Sequence, residues 1–367
     1  MIARRPMRHA MYRSICSPLL KAVNYTFSLP LQRLTRNDCS TSSRVISIAY
    51  CKDIDQPPAL SDAGLRDSSG CDSLALRTPR ESRMAWTGIT RPKYQRTGLR
   101  YASDLSDEEW AVIEPHMPAA ASCGRPRKRL LREVVNGILY IAQTGCQWRM
   151  LPKEFPPYST VQRYFYAWRD GGLWQTINHL LLMAVREADG REASPSAGII
   201  DSQSVKTTEA GGPRGYAAEK KIKGRKRHII TDTLGLLVGA VVHAANVQDR
   251  DGAPTLLASI RRAFPWLRYV FADSAYAGAK LQAALARLGD WTLHIVKRSE
   301  AAKGFAVLPR RWVVERTLAW LNRNRRLAKD FEATAESAMT WLFIASVKLM
   351  SRRLARTLVK SQSPAKS

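Results

Sequence analysis

Three acidic residues, Asp201, Asp273 and Glu315, stand where solubility alone is a poor explanation for a carboxylate. Asp201 follows the apolar run Ala197-Gly-Ile-Ile200, and Asp273 follows Tyr269-Val-Phe-Ala272. Short apolar runs of this kind read as buried strands, so each Asp is expected at a strand's C-terminal end. If the two strands are neighbours in one sheet, both carboxylates reach the same rim. Glu315 is the one acid in residues 310–329, a stretch with seven Lys and Arg that reads as a long helix. Three carboxylates in one pocket repel and raise each other's pKa unless cations neutralise them. Oxygen-only ligands suit Mg²⁺ or Mn²⁺. Two such ions can activate an attacking oxygen and stabilise a leaving one in phosphoryl transfer. One Asp would then bridge both ions while the other two carboxylates hold one each. Spacing equally permits an ordinary i, i+4 ion pair between Arg311 and Glu315.

The composition supplies a counterpart for a phosphate substrate. The chain has 367 residues, 58 Lys and Arg against 31 Asp and Glu, and a net charge of +27. A surplus of that size favours a polyanion. No apolar run is long enough to span a bilayer, so nucleic acid is expected and a membrane is not. Residues 214–228 hold seven Lys and Arg against one acid, Glu219. A hydrophobic fraction of 45% excludes global disorder. The six cysteines show no zinc spacing, and a reducing cytoplasm suits a chain of this length. An RNA-recognition domain is disfavoured because its aromatic RNP pattern is missing.

Several elements must position these groups. Residues 1–83 show weak periodicity and read as a poorly ordered extension, possible non-native, with Met84 a sensible start. A helical segment follows over 84–195. Ser106-Asp-Glu-Glu109 is a capping box opening a helix that turns Trp110 and Ile113 inward. Residues 130–144 carry an apolar stripe at 130, 134, 138 and 141, and Gly145 is placed to end it. Ser159-Thr-Val-Gln162 reads as a second capping box. This pair of helices resembles a helix-turn-helix, with Thr160, Gln162, Arg163 and Arg169 exposed to phosphates or base edges. Residues 190–197 are a linker. Over 196–360 the period shifts to β-formers: a hairpin of 228–233 and 236–244 around Leu234-Gly235, with Asp232 serving its turn, a strand over 266–272, a helix over 279–288 and a strand over 291–296. A last helix spans 335–358, and 361–367 is a tail. Asp249 and Asp251 are expected to cap a helix near Pro254.

Together these residues resemble the DDE transposases of bacterial insertion sequences, in particular the insertion-sequence-five family. The matching stretches are Asp201-Ser-Gln-Ser-Val-Lys206, Lys223-Gly-Arg-Lys-Arg-His-Ile229, Asp232-Thr-Leu-Gly235, Ala245-Asn-Val-Gln-Asp249, Ala272-Asp-Ser-Ala-Tyr-Ala-Gly278 and Arg311-Trp-Val-Val-Glu-Arg316 with Asn322-Arg-Asn-Arg-Arg326. Residues 104–110 and Gln147-Trp-Arg149 are similar to that family's N-terminal segment. The resemblance covers roughly residues 90–355. It implies an α/β, ribonuclease-H-like mixed sheet with flanking helices, preceded by a small all-α helix-turn-helix-like domain. It maps Asp201, Asp273 and Glu315 onto the three metal-binding acids, with two Mg²⁺ or Mn²⁺ ions, and Arg311 onto the Arg before the glutamate. The Tyr that often precedes that Arg is replaced by Leu308, and Asn322 stands where related groups often carry Lys.

The implied activity is hydrolysis of DNA at an insertion sequence's ends, followed by attack of the freed 3′-hydroxyl on target DNA. The partners are double-stranded DNA, as terminal inverted repeats and as target, and further copies of the chain in a dimer or higher multimer at the bacterial nucleoid. Lys223, Arg225, Lys226, Arg227, His228, Arg311, Arg323, Arg325 and Arg326 are expected on the DNA. So are Arg127, Lys128 and Arg163 of the helical segment. A nuclease of the same fold, and a DNA-binding regulator or inactive relic, remain as alternatives.

Overall fold

Ser106 opens the first helix, α1 (Asp107–Ile113), in the computed structural model, which describes residues 96–120, 126–296 and 311–362. Its capping box is complete: Glu109 N–H donates to Ser106 Oγ at 3.3 Å, and Ser106 N–H donates to Glu109 Oε2 at 3.2 Å. The expected extension 1–83, with Met84, lies outside the described residues. Helix α2 (Leu131–Thr144) buries Val134, Val135, Ile138, Leu139, Ile141 and Ala142 and stops at Gly145, whose φ of +73° suits glycine. Leu130 is not on that stripe; it occupies the N-cap and is 74% exposed. Helix α3 (Tyr158–Asp170) corrects the second capping box. It starts behind Pro157, which has no N–H for the box's return bond, and Ser159 falls inside the first turn. An additional helix, α4 (Leu173–Ala188), follows Gly171-Gly172 and buries Trp174, Ile177, Leu181, Leu182 and Val185.

Strand β1 (Ala197–Lys206) then runs straight through Asp201. The expected end at Ile200 is corrected, because β3 (Ile222–Asp232) pairs with β1 antiparallel from Gly198↔Asp232 to Lys206↔Gly224. The short β2 (Gly215–Ala217) joins the start of β3, and β4 (Leu237–Ala244) joins the rest. The β3–β4 hairpin turns at Gly235, φ +85°. Asp232 serves that turn, its Oδ1 accepting from the N–H of Leu234 and of Leu236 at 2.9 and 2.8 Å. Helix α5 (Asp249–Ile260) crosses to β5 (Tyr269–Ala272), and α6 (Ala279–Leu288) crosses to β6 (Thr292–Ile295). The expected start of β5 at 266 is too early, and Trp266 is largely exposed. β5 pairs with β1 in parallel, and β6 with β5 likewise. The result is a mixed sheet of order β2-β3-β1-β5-β6, with β4 also beside β3.

Helix α7 (Arg311–Leu321) is shorter than the expected run to 329. Asn324 Nδ2–H donates to the terminal carbonyl of Leu321 at 3.0 Å, and a 3₁₀ turn follows at Arg325–Leu327. The last helix, α8 (Ala335–Gln362), packs on α1, α2, α4 and β4. One apolar cluster runs from Leu105 through the sheet to Met350, so helices and sheet share a core. Among the described residues, no helix is long and apolar enough to cross a membrane.

Candidate active site

The sheet brings Asp201 and Asp273 together by register. Ile199 of β1 stands opposite Phe271 of β5, so two further places put Asp201 level with Asp273. There β5 ends and Asp273 turns into a 3₁₀ turn, its Oδ1 accepting from Ala275 N–H at 3.0 Å. β1 continues on β3 alone. The gap where two parallel strands part is a place for side chains to converge at a sheet's carboxyl edge. Burial pushes the Asp201 carboxyl up to about 6; the N–H of Ser202, at 2.7 Å, pulls against this and the nearby Asp273 adds to it.

Glu315 lies on α7, which packs against β1 and β3 and buries Val313, Val314, Thr317, Leu318 and Leu321. The Glu315 side chain is 56% exposed, at the edge of that face. Arg311 links the acids: its Nη2 is 3.4 Å from Asp273 Oδ2, and its Nε is 3.4 Å from Glu315 Oε1. The i, i+4 pair is thus present, and its guanidinium is shared with Asp273. As they stand, no three acidic, His or Cys side chains among the described residues converge to hold one ion. The donors still suit a hard divalent cation. They are all oxygens, Asp201 is half-buried with no ion pair among the described residues, and a guanidinium already stands between the other two.

A further acid belongs to this region, and the spacing did not reveal it. Asp249, at the first position of α5, accepts from Ser202 Oγ–H at 2.8 Å and from Lys226 Nζ at 2.7 Å. Burial acts to raise its pKa, but these two hydrogen bonds outweigh it and hold the carboxyl below its usual range. His228 Nε2 is 3.7 Å from the same oxygen, and the His228 ring lies 4.7 Å from that of His243 and 6.1 Å from that of buried Tyr276. Asp249 therefore holds the residue next to Asp201, while Tyr276, three residues after Asp273, packs on the same cluster. The available signal was the pair Asp249 and Asp251, acids that suit the first turn of a helix, and both do lie there.

The basic residues divide by burial. Arg225, Lys226, Arg227, His228 and Arg326, all expected on the DNA, are buried here and are not surface cations. β3 is covered on both faces, and strand alternation sends its side chains to opposite sides. Lys226 and His228 lie under α5. Arg225 pairs with Asp330 at 3.1 Å, and Arg227 donates to the carbonyl of Leu327 at 2.7 Å. Arg326 pairs with Glu332 at 2.6 Å. Burial pushes His228 down to about 3, with His243 adding to the effect, so the ring is neutral. Lys223, Arg323, Arg325, Arg127, Lys128 and Arg163 are exposed, and Arg311 is half-buried at the acids. On α3, Arg169 is tied to Asp170 and Ser337 at 2.7 and 2.8 Å, and Gln162 to Tyr166 at 3.1 Å, so neither is free.

Comparison with known proteins gives a family. The family described as "Transposase DDE domain" matches residues 192–347, and "Putative transposase of IS4/5 family" matches residues 105–178. The chain is 35% identical over 117 residues to the "Insertion element IS402 uncharacterized 16.2 kDa protein" of Burkholderia cepacia, covering 29% of this chain and 76% of that one. It is 34% identical over 120 residues to the "Putative transposase for insertion sequence element IS402" of the same organism, covering 31% of this chain and 56% of that relative. The match thus spans only about half of the second relative's length. No solved structure matches.

Proposed function

The chain belongs to the DDE transposases of the IS4/5 family, and we propose from this that it cuts DNA at the ends of an insertion sequence and joins those ends to target DNA. The observation that carries the reading is the parting of β1 and β5, which sets Asp201 level with Asp273 under the helix bearing Glu315. Four strands paired antiparallel, β1 to β4 with β2 short, followed by two added in parallel through helical crossovers, support a ribonuclease-H-like fold. The α2–α3 pair supports a helix-turn-helix-like reading of the N-terminal segment, with Arg163, Arg127 and Lys128 on its exposed surface.

Asp201, Asp273 and Glu315 would hold Mg²⁺ or Mn²⁺. When bound, two such ions supply activation of the attacking oxygen and charge neutralisation at the leaving one. Asp249 holds β1 in place through Ser202 and Lys226. Arg311, between Asp273 and Glu315, would be the guanidinium nearest the acids to hold a DNA phosphate. In the first reaction water's oxygen bonds to phosphorus and the P–O3′ bond breaks, leaving a 3′-hydroxyl. In the second that hydroxyl bonds to a target phosphorus and displaces a target 3′-oxygen, which takes up the proton. A dimer or larger multimer pairing two element ends, working at the bacterial nucleoid, completes the proposal.

The test is cleavage and joining of element-end DNA with Mg²⁺, comparing the parent with Glu315→Gln. Loss of groups that merely orient a metal ligand already costs about 10–100-fold. The variant should therefore lose both activities by about 100-fold or more while still binding DNA. An active variant would remove Glu315 from the site, and cleavage without joining by the parent would favour a nuclease.

A further inference from the structure

We infer that the end of β1 and the β2–β3 hairpin form a DNA-backbone cleft, a second contact that grips phosphates beside the acids. The inference rests on the transposase reading and adds where the duplex is held. The cleft has a volume of about 420 Å³ and is lined by Lys206, Arg214, Lys221 and Lys223, with Glu209 its one acid. All four cations are exposed, and none forms an ion pair among the described residues. The contrast within β3 is sharp. Arg225 and Lys226, two and three places beyond Lys223, are buried and neutralised by Asp330 and Asp249.

Four unneutralised cations around one concavity repel each other and contribute nothing to the core. A polyanion relieves that repulsion. Lysines are flexible point charges that suit successive backbone phosphates better than one base edge. Tyr216, 56% exposed and lining the same cleft, offers a hydroxyl to a phosphate or a ring to a sugar or base.

The cleft also lies within reach of the acids. Lys206 and Asp201 share β1, separated by five steps, or roughly 17 Å of extended chain. A strand lying in the cleft therefore continues toward Asp201. Lys220, exposed in the turn between β2 and β3, adds a further cation beside Lys221 of the cleft.

The test uses the full chain and a fluorescein-labelled DNA duplex of arbitrary sequence, without metal. Binding is followed by anisotropy over a KCl series for the parent and for Lys206→Ala/Arg214→Ala/Lys221→Ala/Lys223→Ala. Each phosphate contact contributes about 0.9 to the slope of log K against log [salt], so the slope should fall by about 3–4. The thermal midpoint should stay near the parent's, because all four side chains are exposed. Tyr216→Phe should keep the parental slope, since it removes no charge. A fourfold variant with the parental slope would overturn the cleft and leave the transposase reading standing, because that reading depends on cutting by the acids. A parent that binds no duplex at all would sink both.

Discussion

Asp201, Asp249 and His228 show how one small polar cluster assigns different states to its members. Asp201 is held up to about 6 by burial, whereas Asp249, with Ser202 and Lys226 as donors, is held low. His228 is kept neutral by burial and by His243, with Lys226 also opposing its charge and Asp249 favouring it. An unfolded His takes up its proton near 6.5, while the folded ring resists until about 3. The unfolded chain therefore binds more protons in that window. The stability tied to His228 is complete above 6.5 and is lost as pH falls toward 3. Replacing His228 by Gln should flatten this acid limb, measured as the difference in urea midpoint between a pH above 6.5 and one near 5. A variant with the parent's full acid loss would place the sensitivity elsewhere. Asp249 reads from its surroundings as a turn and cap residue. Its backbone does begin a helix, but its carboxylate turns to Ser202 and Lys226, contacts 47 and 23 residues away in sequence.

Strand β3 shows at the element scale why a basic run is an ambiguous signal. Lys223 to His228 have the charge of a DNA-contacting segment, but the strand lies between β1 and β4 and is covered on both faces. Its arginines consequently serve the fold. Arg225 has no exposed surface and pairs with Asp330, which is equally buried. Breaking a buried pair from one side leaves an uncompensated charge and costs about 3–5 kcal/mol. Asp330→Ala should therefore lose stability of that order in urea unfolding. Lys223→Ala, two residues from Arg225 but exposed, should change it by no more than about 0.5 kcal/mol. Comparable effects from the two variants would contradict the division of this strand into a solvent end and a core.

At the scale of the whole molecule, α8 joins the helical segment to the sheet, contacting α1, α2 and α4 on one side and β4 on the other. The shared apolar cluster predicts one cooperative transition for the described elements. Thermal melts followed by far-ultraviolet circular dichroism and by tryptophan fluorescence should coincide, and two separated midpoints would show that the helical segment unfolds by itself. The sequence alone determined most of the local structure. The capping box at Ser106, the stop at Gly145, the β3–β4 hairpin and helix α6 follow from short-range rules of hydrogen bonding, backbone freedom and apolar period. It also identified the family, because a set of short motifs in a given order is specific even where each is weak. Only the tertiary structure decided that β1 runs on past Asp201, that α7 stops at Leu321, that Arg311 is shared by Asp273 and Glu315, and that five expected DNA contacts are buried. Each of those depends on which strand or helix lies alongside. Burial and pairing arise between residues distant in the chain, and local spacing carries no record of them.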